Sequence, residues 1–178
     1  MITDLIASTT VGAGGTSTIE FTGIPGTYTD LVILLSARTT SGSDYPRFRA
    51  NNYVSEFNKG QVLLSGGTTV SAFSDTFNTY AQIGQIPGTS YSANNFSNSL
   101  IQVPNYAGTT RAKTYKIQTI MKDAGANAEQ RFSGTGFVSF TAAITSVQIY
   151  TTNTFAQHTT AYLYGTLIGS GGATVTVV

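Results

Sequence analysis

The chain has 178 residues, of which only 10 % are charged, with nine Lys/Arg against eight Asp/Glu, one His, no Cys and no Trp. That length suits one domain with a self-sufficient core. The composition excludes disulfides and thiolate metal sites, and it leaves few titratable side chains from which to build a catalytic cluster.

The formal net charge is +1, without the clustered excess that phosphate neutralisation demands, so no nucleic-acid partner is expected. The densest basic run, Arg111, Lys113, Lys116 and Lys122, is followed by Asp123 and Glu129. No stretch approaches the roughly 20 apolar residues of a membrane helix, so no membrane partner is expected either. Met1-Ile2-Thr3-Asp4-Leu5-Ile6 carries an acidic residue and no basic one, unlike a secretion signal, and predicts synthesis in a cytoplasm. A near-neutral chain is at ease packed against neighbours in an assembly.

Helical periodicity is missing, and short apolar or alternating runs recur between Gly, Pro, Asn and Ser. Residues 1–17 read as an N-terminal arm, with Val11-Gly12-Ala13-Gly14-Gly15 as a flexible joint. The strand domain spans residues 18–168. Thr18 to Thr22 alternates and stops at Gly23-Ile24-Pro25-Gly26. Leu31-Val32-Ile33-Leu34-Leu35 is continuously apolar, which predicts cover on both faces. Arg47-Phe48-Arg49 alternates behind Pro46, a strand start or an edge. Gln61 to Leu64 and Thr69 to Phe73 flank Gly66-Gly67 as a hairpin.

Asn78 to Ile83 and Ser99 to Val103 are further strands. In Thr114 to Lys122, Tyr115, Ile117, Thr119 and Met121 share one face, and only Ile120 spoils the polar one. Asp123 to Gln130 reads as a loop. Gln130 to Phe140 predicts one bulged strand or two short ones. Ser146 to Tyr150 and Thr160 to Ile168 close the domain. About ten strands with frequent turns predict an all-β antiparallel sandwich of jelly-roll type. Residues 169–178 read as a Gly-tethered arm or last strand. Ala173, Thr174, Val175, Thr176, Val177 and Val178 are the candidates to pair with a sheet edge, the chain's own or a neighbour's.

The chemistry-bearing residues are sparse. His158 lacks a nucleophile elbow and reads as a loop residue. Asp30, Asp44, Glu56, Asp75, Asp123 and Glu129 are scattered acids with no local pairing for glycoside hydrolysis. No metal or cofactor is expected, and no catalytic residue. The surplus is aromatic: ten Tyr and ten Phe. Tyrosine buries area while keeping a hydroxyl wet, which suits interfaces and sugar stacking. Tyr45, Tyr53 and Tyr91, in loop-like stretches, are the candidate interaction residues.

Three segments carry a resemblance. Ile24-Pro25-Gly26-Thr27-Tyr28-Thr29-Asp30-Leu31-Val32 resembles the "IP-x-TYTDLVL" entry of small β-rich structural proteins of tailed, especially aquatic, bacteriophages. Ile101-Gln102-Val103-Pro104-Asn105-Tyr106-Ala107-Gly108 resembles their "I-x-IPNYA" turn. Ala142 to Val147 through Ala161 to Gly165 resembles their closing "AAITSI…ATLYGI" pair. The resemblance implies a virion component without enzymatic activity, commonly trimeric: a head decoration (cement) protein or part of a tail fibre. A compact chain without a coiled-coil, collagen-like or β-helical stalk fits the decoration protein better. The expected partners are the major capsid protein and further copies of the chain as a homotrimer. The alternative is a receptor-binding tip on host surface glycans.

Overall fold

The computed structural model describes residues 2–54, 57–65, 69–122 and 129–167. Two antiparallel sheets pack face to face as an all-β sandwich. The larger has eight strands in the order β1-β12-β3-β8-β9-β10-β5-β6, and the smaller has four, β2-β11-β4-β7. The large sheet comprises β1 (Ile2–Thr10), β3 (Asp30–Ala37), β5 (Phe57–Ser65), β6 (Thr69–Asn78), β8 (Ser97–Pro104), β9 (Lys113–Lys122), β10 (Glu129–Val138) and β12 (Thr160–Leu167). The small sheet comprises β2 (Thr16–Phe21), β4 (Arg47–Ala50), β7 (Ala81–Gln82) and β11 (Val147–Phe155).

Period-two patterning sets the strands. β9 alternates buried and exposed residues along its whole length, with Tyr115, Ile117, Thr119 and Met121 inward and Lys116, Gln118, Ile120 and Lys122 outward. The core lies between the sheets, where Leu31, Ile33, Leu35, Ile101, Ile117 and Leu163 face Ile19, Phe48 and Ile149. Each such side chain, fully buried, stabilises the fold by about 1.5–3 kcal/mol. Thr119 is one of several polar residues buried inside. Its hydroxyl bonds the Ile83 carbonyl and the Ser99 hydroxyl, which joins the large sheet to the chain leaving β7.

Several expectations change here. β3 is covered on one side only: Leu31, Ile33, Leu35 and Ala37 are buried, whereas Leu34 is 41 % exposed. A continuous apolar run does not distinguish cover by the chain itself from cover by something else. β10 is one unbroken strand, paired without a register shift to both β9 and β5. Ile2–Thr10, inside the expected arm, pairs along β12 as an edge strand with a bulge between Leu5 and Ala7. The Gly12–Gly15 joint is a tight turn: the Gly15 amide donates to the Gly12 carbonyl at 3.0 Å. Gly15 has φ 66°, and a Cβ there would meet the Phe155 carbonyl oxygen at 2.8 Å, so only glycine fits. Residues 169–178, the expected arm or last strand, and the loop reading at 123–128 lie outside the described residues.

Candidate interaction surfaces

The segments that carry the phage resemblance meet at one end of the sandwich. The Tyr106 side chain is fully buried, and its hydroxyl donates to the Pro25 carbonyl. The Ile144 amide donates to the Tyr106 carbonyl at 2.9 Å, and the Ile24 amide to the Thr145 carbonyl at 2.9 Å. The Asn105 amide donates to Asp30 Oδ1 at 2.9 Å. Asn51, at φ 51°, donates through Nδ2 to the Ala143 carbonyl (2.7 Å) and accepts from the Thr145 and Ser146 amides. Lys113 is buried, and its ammonium donates to the carbonyls of Gly108, Arg111 and Thr141. Burial depresses its pKa. These motifs therefore close a fold, and none forms an open site.

The opposite end is fastened by other groups. Arg38, 9 % exposed, donates to the carbonyls of Tyr91, Ser92 and Asn95. Asp44 Oδ2 accepts from the hydroxyls of Thr151 and Thr152 and from the Thr152 amide at 2.8 Å, while Oδ1 accepts from the Tyr45 amide. Burial alone would raise the Asp44 pKa, but these bonds outweigh it and hold the carboxyl at about 2. His158 sits at φ 70° in the β11–β12 turn, its backbone amide bonded to the Val11 carbonyl at 2.9 Å. Among the described residues no group of three or more His, Cys, Asp or Glu is placed to hold a metal. Of the remaining acids, Glu129 pairs with Arg131, and Glu56 and Asp123 lie outside the described residues. Asp75 is placed on β6 by its backbone alone.

The predicted tyrosines do not form one surface. Tyr45 and Tyr91 lie at the Arg38–Asp44 end, both half-buried, and burial raises the Tyr45 pKa. Tyr53 lies at the other end, packed on Phe140 with ring centroids 5.0 Å apart. Ala173, Thr174, Val175, Thr176, Val177 and Val178 lie outside the described residues.

Two open surfaces remain, the outer faces of the two sheets. On the large sheet, Ser8, Tyr162, Leu34, Leu100 and Gln118 stand side by side in one cross-strand rung. The next rung is Thr10, Thr160, Ser36, Asn98 and Ile120. From Tyr162 to Gln118 and from Thr160 to Ile120, the two rungs line a shallow groove of about 500 Å³. Ile120 is 54 % exposed, and neither rung carries a charge from β1 to β9. Tyr162 and Tyr164 stack nearly parallel, 6.5 Å apart. Facing solvent, these side chains add little to the fold's own stability, and polar residues would serve the chain equally well. This partly apolar strip is a candidate contact surface.

On the small sheet the outer rungs are Thr18–Tyr150–Arg47–Gln82 and Glu20–Gln148–Arg49. The Arg47 guanidinium carbon lies 4.8 Å from the Tyr80 ring centroid and 5.8 Å from that of Tyr150, and Arg49 lies 4.5 Å from Tyr150. Arg49 Nε donates to the Thr79 carbonyl at 2.9 Å. Burial raises the Tyr150 pKa against the opposing pull of Arg49 and Arg47. The Arg47-x-Arg49 and Gln148-x-Tyr150 spacings are visible in the sequence, but only the strand register brings them together.

Comparison with family models, with curated proteins and with solved structures gives no match to this chain.

Proposed function

We propose that this chain is a non-enzymatic structural protein of a tailed-phage virion, a decoration or cement protein that binds across capsid subunits and stabilises the head shell. The uncovered apolar rung Tyr162–Leu34–Leu100 carries this reading. β3 has the sequence of a strand buried on both sides, and the chain itself covers one of them. In this reading the major capsid protein covers the other. A contact of this size is modest, and a homotrimer raises its effective strength by avidity. The use of Asp44, Arg38 and Lys113 as loop fasteners supports a role without catalysis.

A receptor-binding fibre tip is the second reading, and the Arg47–Arg49–Tyr80–Tyr150 cluster favours it, because rings and guanidinium groups side by side suit host surface glycans. Counting copies per purified virion by quantitative mass spectrometry separates the two. A fixed lattice fraction of the major capsid protein is expected. A few tens of copies or fewer would move the chain to the tail, and absence from the particle would sink both readings.

A further inference from the structure

We infer that the outer face of the small sheet is a binding site for an acidic saccharide, its carboxylate or sulfate held by Arg47 and Arg49 and its hydroxyls by the neighbouring Gln148 amide. The inference gives the second reading a specific site and a ligand class, and it stands whichever part of the particle holds the chain. Both guanidinium groups are stacked over aromatic rings, with Arg47 4.8 Å from the Tyr80 centroid and Arg49 4.5 Å from that of Tyr150. A guanidinium over a ring keeps in-plane N–H groups for an oxyanion, which it can grip through two parallel bonds; in Arg49 these are the Nη groups, because Nε is bonded to the Thr79 carbonyl. Stacking also fixes two long side chains in advance, so that less rotamer freedom is lost on binding.

Among the described residues neither arginine is paired with a carboxylate, the one ion pair there being Arg131–Glu129. Elsewhere, Arg38 and Lys113 are each committed to several backbone carbonyls. The Tyr150 hydroxyl is buried inside the cluster, next to Arg49. Gln148 stands in register with Arg49 and supplies an amide donor and acceptor for sugar hydroxyls. A nucleic-acid strand fits less well. It needs a track of cations along successive phosphates, whereas here two lie together and Glu20 stands in the same rung as Arg49.

The test is a titration of the full-length ¹⁵N-labelled chain with an oligogalacturonate, a sulfated oligosaccharide, a neutral oligogalactoside and an oligothymidylate of equal length. The Arg47 and Arg49 Nε–Hε resonances are followed. Saturable shifts of both with at least one acidic saccharide are expected, with none from the neutral one. Whether the uronate, the sulfated sugar or both respond identifies the anion. Arg47→Gln is expected to weaken binding at least about tenfold, the loss of one charge-assisted contact. Arg47→Lys is expected to restore little of it, because an ammonium has no fork. Silent resonances in the wild-type chain, an equal response to the neutral sugar, or tighter binding of the oligothymidylate would each overturn the inference. So would unchanged binding by a folded Arg47→Gln chain. The wild-type resonances decide the question even if that variant does not fold.

Discussion

At one end of the sandwich the loops are tied by a guanidinium and a carboxylate, Arg38 and Asp44, whereas at the other a buried phenol, an amide and an ammonium, Tyr106, Asn51 and Lys113, do the same work. In neither case do the charges meet each other; Arg38 and Lys113 are spent on backbone carbonyls, and Asp44 on threonine hydroxyls and backbone amides. The difference explains how so sparsely charged a chain closes a sandwich. A loop carbonyl or amide buried without a partner costs about 1–3 kcal/mol, and one long polar side chain satisfies two or three at once. The Asp44 carboxylate thereby opens its end to control by acid, at a pH where the phenol, the amide and the ammonium of the other end keep their protons.

Tyr106→Ala has the largest expected effect. Removing a fully buried ring destabilises by about 3–5 kcal/mol, read as a drop in urea midpoint, and Tyr106→Phe retains most of that through its ring. If Tyr106→Ala costs no more than Arg38→Ala, the two ends do not differ in how apolar packing and polar fastening share the load. Arg38→Ala is expected to cost about 2–3 kcal/mol, because it strands the Tyr91, Ser92 and Asn95 carbonyls. Faster proteolysis within residues 88–96 would locate that damage.

Acid comes next. Asp44 has a folded pKa of about 2 against an ordinary 3.8, so the stability it contributes is present above the higher value and is lost as pH falls from 3.8 toward 2. Partial exposure screens the carboxylate, which sets the loss at about 1 kcal/mol. Thermal melts across that range are expected to show a wild-type decline that Asp44→Asn flattens. A parallel decline in both chains would assign the acid sensitivity elsewhere. The smallest effect belongs to neither end. Leu34→Thr is expected to change stability by no more than about 0.5 kcal/mol, against about 2–5 for Leu35→Ala on the same strand. A large loss at Leu34 would place the outer rung in the chain's own core.

The strands and their faces were legible because period-two alternation is local: the inward and outward sets of β9 follow directly from its sequence. The residues that close the ends were less legible. Arg38, Asp44 and Lys113 act on carbonyls and amides of other loops, up to 109 positions away in the case of Asp44 and Asn153, and no spacing encodes such partners. Loop-like surroundings single out Tyr45, Tyr53 and Tyr91 in the sequence, whereas a sandwich also exposes one face of each sheet. The Arg47–Tyr150 and Leu34–Leu100 neighbours exist only through pairing register.

Gly165 on β12 has a consequence beyond its own strand. A Cβ at this position would overlap the ring carbons of Tyr28, so the ring occupies the space that any larger residue would need. The two positions therefore behave as one inherited character. A lineage that keeps the aromatic at 28 is bound to glycine at 165, and one that loses it is freed at both. Joint retention of this pair, 137 positions apart in the sequence, offers a criterion of common descent among chains too diverged for percentage identity to speak.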